Sequence, residues 1–374
     1  MERPMKAPFP WFGGKAICAP EVWRRFGNIK NYVEPFFGSG AMLLARPPPD
    51  DDTIKIETIN DINAYLCNFW RAIKADPGLV AFYAADPVNE IDLHARGDAL
   101  FYKGVLVNGA KLLPDEFAEH LRNDAEYYNA KVAGWWVWGQ SSWIGDNWGR
   151  RACHSVPHPG DGGKGINRSM PNLGNFGKGV DRKLPYIGGD NGGRGVNRKL
   201  PYISGDCGGR GVNRQLPAPP PDNGDITGTT RLAGIALYFQ QLAERLARVR
   251  ICCGDWQRVI SNSALLRQHG YTGVFLDPPY CATKRSKVYG EHDSFDISAA
   301  VRKWCIEHAK DDGLRLALCG QGDEHAALEA EGWTTFFWKR KGGYKRRMGT
   351  AQKTAEEQTE TVWFSPGCLP ATKP

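Results

Sequence analysis

The sequence predicts an α/β protein, a Rossmann-like nucleotide-binding sheet carrying a large inserted region, and three observations predict it. A strand, a glycine turn, a helix, a second strand and an acidic residue are packed into residues 32–74. Far downstream the apolar run Val274-Phe275-Leu276 stops at Asp277-Pro278-Pro279-Tyr280, as a buried strand does when it meets a stiff turn. Between these blocks, residues 76–230 change composition twice, first rich in tryptophan and then in glycine, asparagine and arginine.

Taken in order, residues 32–44 read as a short strand, the turn Phe37-Gly38-Ser39-Gly40 and the start of a helix. Residues 54–59 alternate as a strand that ends at Asn60-Asp61, and residues 63–74 have a helical pattern. In such a unit the backbone amides of the glycine turn approach a cofactor, and an acid about 20 residues on grips ribose hydroxyls. Asp61, followed by Ile62, has that spacing. Residues 76–129 read as helical and polar, with a helix at 115–131. The aromatic block Trp135, Trp136, Trp138, Trp143 and Trp148 follows. Large aromatics dominate core burial, so the block reads as the core of a small subdomain; the alternative is a wedge that props open a duplex.

Residues 164–217 hold an internal repeat: Lys164-Gly165-Ile166-Asn167-Arg168, Lys178-Gly179-Val180-Asp181-Arg182, Arg194-Gly195-Val196-Asn197-Arg198 and Arg210-Gly211-Val212-Asn213-Arg214. A proline stands three residues after each final arginine. Copies this short cannot each bury a core, so they read as successive surface loops or hairpins. Their Asn-Arg pairs suit phosphates or base edges, and a duplicated segment with little role is the alternative. Residues 218–230 read as a linker. Leu232, Ile235, Phe239, Leu242, Leu246 and Val249 then recur at helical spacing, and a strand ends at Gly254-Asp255-Trp256. Asp255 and Trp256 could hold a cofactor adenine by a hydrogen bond and stacking, or form an ordinary turn. A helix over 298–310 and a strand over 314–319 complete the pattern.

A chain of 374 residues, 41% hydrophobic, has length for one large domain with an insert. No stretch approaches a membrane span and residues 1–15 lack signal-peptide architecture, so the expected location is cytoplasmic. The ten cysteines lack CxxC pairs and zinc-site spacing, which implies reduced, mostly buried thiols and no metal. The net charge of +7 is concentrated: residues 164–214 carry ten Lys/Arg against three Asp, and residues 338–353 carry seven Lys/Arg and no acid. Two such clusters favour phosphate contacts over simple solvated loops. Arg168, Arg182, Arg198, Arg214, Lys339, Arg340, Lys345 and Arg346 are the candidates.

The residue types in Asp277-Pro278-Pro279-Tyr280 answer a particular chemical problem. An exocyclic amine on an aromatic ring is a poor nucleophile because its lone pair is delocalised. A carboxylate and a backbone carbonyl that each accept one amine hydrogen draw the nitrogen toward tetrahedral geometry and expose that pair. Asp277 and the carbonyl of Pro278 are the two acceptors. Pro278 and Pro279 stiffen the turn, and Tyr280 offers a face on which an extruded base stacks.

Four blocks together, Pro10-Trp11-Phe12-Gly13-Gly14-Lys15, Val33-Glu34-Pro35-Phe36-Phe37-Gly38-Ser39-Gly40, Asn60-Asp61-Ile62-Asn63 and Asp277-Pro278-Pro279-Tyr280, resemble the Dam-like class D12 adenine-N6 DNA methyltransferases in order and type. Glu360-Thr361-Val362-Trp363-Phe364-Ser365 resembles that family's final strand, and the likeness covers most of residues 8–75 and 231–366. The resemblance implies an S-adenosylmethionine-dependent methyltransferase fold. Residues 1–75 and 231–374 would form a discontinuous catalytic domain, and residues 76–230 an inserted target-recognition region. It implies S-adenosylmethionine as the cofactor, with Trp11 and Lys15 near its methionine part, the turn Phe37-Gly38-Ser39-Gly40 beneath it and Asp61 on its ribose. The family's Gly-x-Asn-x-Pro type element stands multiplied in this chain, which departs from the family's pattern.

The expected reaction is in-line transfer of the sulfonium methyl to adenine N6 in double-stranded DNA after base flipping. Rival readings are cytosine N4, RNA adenine or a protein glutamine as the accepting amine, or a DNA-binding protein of this fold that has lost activity. No nuclease motif stands out, which suits a solitary or phage-type methylase. The repeats are also a candidate homodimer surface.

Overall fold

The computed structural model describes residues 5–11, 14–48, 56–143, 148, 231–265, 270–280, 295–339 and 359–371. Its centre is a seven-stranded sheet of β1 (Asn31–Glu34), β2 (Ile56–Asp61), β5 (Val249–Cys253), β6 (Thr272–Leu276), β7 (Leu314–Gln321), β8 (Thr334–Lys339) and β9 (Thr359–Phe364). The strand order is β5-β2-β1-β6-β7-β9-β8. The first five in that order are parallel, whereas β9 pairs antiparallel with both β7 and β8. A separate hairpin joins β3 (Val105–Val107) to β4 (Ala110–Leu112).

Parallel strands are covered on both faces, so they read as apolar runs and alternate only in which core they feed. Phe275, Ala317, Cys319, Val362 and Phe364 point into one buried cluster. Val274, Leu276, Leu316, Leu318 and Trp363 point into the other. The first face is covered by α1 (Ala19–Phe26), α3 (Ala64–Ala75) and α8 (Arg231–Leu246); the second is covered by α10 (Phe295–His308) and the short α9 (Asn262–Leu265). Helix starts follow capping chemistry: Asn63 accepts from the Leu66 N–H at the head of α3.

Outside this layer lie α4 (Pro77–Ala84), α5 (Glu90–Asp98), α6 (Pro114–Asn123) and α7 (Ala130–Ser142), while α2 (Ala41–Leu44) follows the glycine turn. The described part of residues 76–230 packs directly on the sheet's helices: α7 lies on α3 and α4, and α4 lies on α8. Trp136 and Trp138 accordingly belong to the cluster that contains Phe9, Phe69 and Trp70, not to a core of their own. Ring contacts from Phe9 to Trp136 at 5.1 Å and to Phe69 at 5.3 Å stitch the N-terminal segment to both helices.

Three local expectations need correction. The helix expected over 115–131 is two helices. After Asn123 the carboxylate of Asp124 accepts the Glu126 N–H, a local alternative to helical bonding, and the Arg71 guanidinium binds the carbonyls of Asp124 and Tyr127. Asn129 then caps α7 through the Val132 N–H. Val249 leaves the helical series and pairs with Glu57 in β5, where strand pairing overrides the spacing. The hairpin in the segment read as helical turns at Asn108-Gly109, both at positive φ (50° and 81°), the Asn-Gly signature of a tight two-residue turn.

Candidate active site

In an open parallel sheet the strands' carboxyl ends share one edge, and ligands bind there beside the point where strand order reverses. Here that point is β1, with β2 on one side and β6 on the other. The turn at 35–40, Asp61, the turn at 254–256 and Asp277-Pro278-Pro279-Tyr280 all leave this edge. Because β9 runs the opposite way, its beginning reaches the same edge, and Glu360 lies opposite Gln321 at the end of β7.

The glycine turn is held from three directions. Gly38 and Gly40 take φ of 53° and 74°, open to glycine at little cost. The Gly38 N–H donates to Asp61 Oδ2 at 3.0 Å, and the Gly38 carbonyl accepts from Trp70 Nε1 at 3.1 Å. A Cβ on Gly38 would stand 2.7 Å from Trp11 Nε1, so the indole rests directly on the turn. Asn60, almost fully buried, ties the neighbouring turns: its Nδ2 donates to the carbonyls of Pro35 and Gly254 at 3.1 and 2.9 Å. Beside the turn opens a hollow lined by Trp11, Lys15, Glu34, Phe37, Gly38, Ser39 and Asp277 among others.

Four carboxyl groups surround this hollow or its rim. Asp61 is buried, and burial raises it to about 6 against the pull of the backbone donors Asn63, Gly38 and Ile62. Glu34 is 2% exposed and accepts the Tyr32 hydroxyl at 2.8 Å; burial holds it well above the usual carboxylate range. Asp277 is also raised by burial, with Lys15 opposing. Lys15 Nζ lies 2.8 Å from Asp277 Oδ2 and 3.3 Å from Glu360 Oε2. Burial alone would lower Lys15, but Asp277 and its neighbours reverse this and push the ammonium above its ordinary range. Tyr280 closes the cluster: its hydroxyl lies 3.0 Å from Asp277 Oδ1 and 3.1 Å from Glu360 Oε2, its single proton shared between them. The Asp277 side chain keeps 21% exposure, so it can meet an incoming group.

The structure thus gathers Trp11, Lys15, Phe37, Gly38, Ser39, Gly40, Asp61, Asp277 and Tyr280 along one edge, with Ile62 beside Asp61 and Pro278 and Pro279 in the turn between the last two. Asp255 and Trp256 differ from one another. Asp255 is exposed and caps a short 3₁₀ turn through the Gln257 N–H, whereas Trp256 is buried against Phe36 and Trp304. Its faces are occupied by protein, because the strand end that positions it also supplies the core beneath. Lys339 ends β8; Arg168, Arg182, Arg198, Arg214, Arg340, Lys345 and Arg346, with the repeats, lie outside the described residues. Sequence reading missed Glu34 and Glu360 as site groups, and Asn60 as the tie between the turns at Pro35 and Gly254. The available signal was an acid placed at the end of one apolar strand and near the start of another.

Among the described residues no group of three or more His, Cys, Asp or Glu could hold a metal ion, and no helix is long and apolar enough to cross a membrane. The described cysteines are free, and Cys18, Cys67, Cys253, Cys305 and Cys319 are buried.

No curated protein matches the chain. Residues 11–136 match the family model of the D12 class N6 adenine-specific DNA methyltransferases. The matched segment contains Trp11, Lys15, the glycine turn and Asp61, which the fold sets at the edge shared with Asp277. Over residues 11–136 the chain is therefore similar to the D12 class N6 adenine-specific DNA methyltransferases.

Proposed function

We propose that the chain transfers the methyl group of S-adenosylmethionine to N6 of an adenine extruded from double-stranded DNA. One observation carries this reading: Asp277 lines the hollow beside the glycine turn and also begins the turn expected to grip the amine, so donor and acceptor sites meet at one carboxylate. The chemistry of the hollow suits the cofactor. Among its described lining residues Lys15 is the only cation, paired with the Asp277 carboxylate at the hollow's edge, where an ammonium suits the carboxylate of the cofactor's methionine end. When bound, S-adenosylmethionine supplies a methyl group already activated by the positive sulfur.

The residues of the chain bind and orient. Trp11 and the turn from Phe37 to Gly40 bound the methionine end, with Lys15 near its carboxylate. Asp61 and the backbone at Ile62 take the ribose, and the exposed Asp255 lies toward the base; Trp256 is assigned to the core. Asp277 and the Pro278 carbonyl each accept one hydrogen of the target amine, Pro279 stiffens the turn, and the Tyr280 ring stacks on the base. Positioning and two directed acceptors are the kind of catalysis this reaction needs, since the methyl is already electrophilic.

Residues 1–75 and 231–374 form the catalytic unit in this reading, with target recognition assigned to the insert between them. Its helical base, α4 to α7, is anchored on the catalytic core, and its repeats supply Arg168, Arg182, Arg198 and Arg214 to phosphates. Lys339, Arg340, Lys345 and Arg346 add a second contact. The test is incubation of the purified chain with methyl-labelled S-adenosylmethionine and mixed-sequence duplex DNA, followed by digestion to nucleosides. Label in N6-methyladenine is expected. Label in N4-methylcytosine, or unlabelled DNA with the cofactor bound, would overturn the assignment.

A further inference from the structure

Asp277 faces a difficulty in the role given to it. Both its oxygens are already engaged, Oδ2 by the Lys15 ammonium and Oδ1 by the Tyr280 hydroxyl. An arriving amine must compete with one of these donors, and Tyr280 is the movable one, since its hydroxyl proton rotates about a single bond. A second acceptor stands ready. Glu360 Oε2 is 3.1 Å from the same hydroxyl and 3.3 Å from the same ammonium, so the two donors span both carboxylates. Glu360 is 4% exposed, on β9, which lies antiparallel between β7 and β8 and brings its first residues to this edge. A buried carboxylate is costly unless paired, and its pairing here is with the two groups that occupy Asp277.

We propose that Glu360 is a positioning residue for methyl transfer: it takes the Tyr280 hydroxyl proton as a hydrogen-bond acceptor when the target amine arrives, freeing Asp277 Oδ1 for that amine. Lys15 remains between the carboxylates and keeps the pair from repelling. No bond to carbon or nitrogen changes in this step; one hydrogen bond moves from Oδ1 of Asp277 to Oε2 of Glu360, and the amine hydrogen takes the vacated place. The same exchange keeps the Tyr280 ring in one orientation while its partner changes. The inference rests on the role proposed above for Asp277.

The experiment uses the full chain with Glu360→Ala, Glu360→Gln, Tyr280→Phe and the double variant Glu360→Ala/Tyr280→Phe. Glu360→Ala is expected to lower kcat about 10-fold or more, the cost of leaving one charge-assisted hydrogen bond misdirected, with KM for DNA and cofactor Kd changed less than about 3-fold. Glu360→Gln, whose amide oxygen still accepts the hydroxyl, should restore much of that loss. In the Tyr280→Phe background no hydroxyl remains to be moved, so Glu360→Ala should add less than about 3-fold. Penalties that simply multiply, or a wild-type kcat in Glu360→Ala, would overturn the proposal.

A readout independent of turnover separates this inference from the reading beneath it. In cofactor-free protein carrying ¹³C-labelled aspartate carboxyls, Asp277 should titrate at lower pH in Glu360→Gln than in wild type, because Glu360 raises it. An unchanged Asp277 titration overturns the Glu360 contact even if the wild-type enzyme methylates adenine. Wild-type protein that leaves adenine unlabelled while showing the shift refutes the reaction instead. Should Glu360→Ala not fold, the near-isosteric Glu360→Gln still reports through this titration.

Discussion

Cofactor affinity should fall as pH is lowered through about 6, and Asp61 is the group responsible. Burial raises this carboxyl from its ordinary value near 3.8 to about 6, although three backbone N–H groups favour its charged form. If ribose hydroxyls bind the carboxylate and not the acid, apparent Kd scales as one plus ten to the power of pKa minus pH. That factor is about 11 at pH 5 and about 1.1 at pH 7, so binding should weaken about 10-fold across the interval. The sign for folding is opposite. A carboxyl raised in the folded state contributes stability at pH below its unfolded value, lost as pH rises through about 6, because the unfolded chain releases the proton first. Asp61→Asn should therefore bind S-adenosylmethionine more weakly at pH 7 and lose the part of the pH slope that Asp61 supplies, with a lower Tm because the amide nitrogen cannot accept one of the backbone N–H groups that the carboxylate holds. Asp277 and Glu34 are also pushed upward, which is why the variant is needed beside the wild type. The assay is isothermal titration or quenching of indole fluorescence, given that Trp11 lines the hollow. A Kd flat between pH 7 and pH 5, or an Asp61→Asn variant with the wild-type slope, would refute the reasoning.

Asp277→Ala should reduce single-turnover methyl transfer by about 10² to 10³, the range for removing one directed transition-state partner, and leave cofactor binding mostly intact. Rates within about 3-fold of wild type would remove the amine-acceptor role. Gly38→Ala introduces a Cβ at a φ of 53° and 2.7 Å from the Trp11 ring, so it should cost about 1–2 kcal/mol in denaturant unfolding and weaken cofactor binding by displacing the indole. Deleting residues 177–211 should weaken DNA binding and flatten its salt dependence while cofactor affinity stays unchanged. Each lost phosphate contact removes about 0.9 from the slope of log K against log salt, so an unaltered slope would leave the repeats without a phosphate role.

Sequence by itself determined the parts of this protein that depend on neighbouring residues. The turn of Phe37-Gly38-Ser39-Gly40 needs positive φ, which glycine supplies locally, and β6 is an apolar run stopped by two prolines; both signals lie within a few residues. The Asn108-Gly109 turn is an equally local signal, with both residues at positive φ. Tertiary structure alone decided the rest. Val249 joined a strand because Glu57 was there to pair with it, and the helix expected over 115–131 broke where Arg71, from a distant helix, captured the backbone. Trp256 looked like a platform for a base and is core, because Phe36 and Trp304 close on it. Glu360 entered the active site because β9 runs antiparallel and brings its first residues to the edge where the parallel strands end. Strand direction and order arise from long-range pairing, which no local pattern encodes, and they set which carboxylate stands beside Asp277.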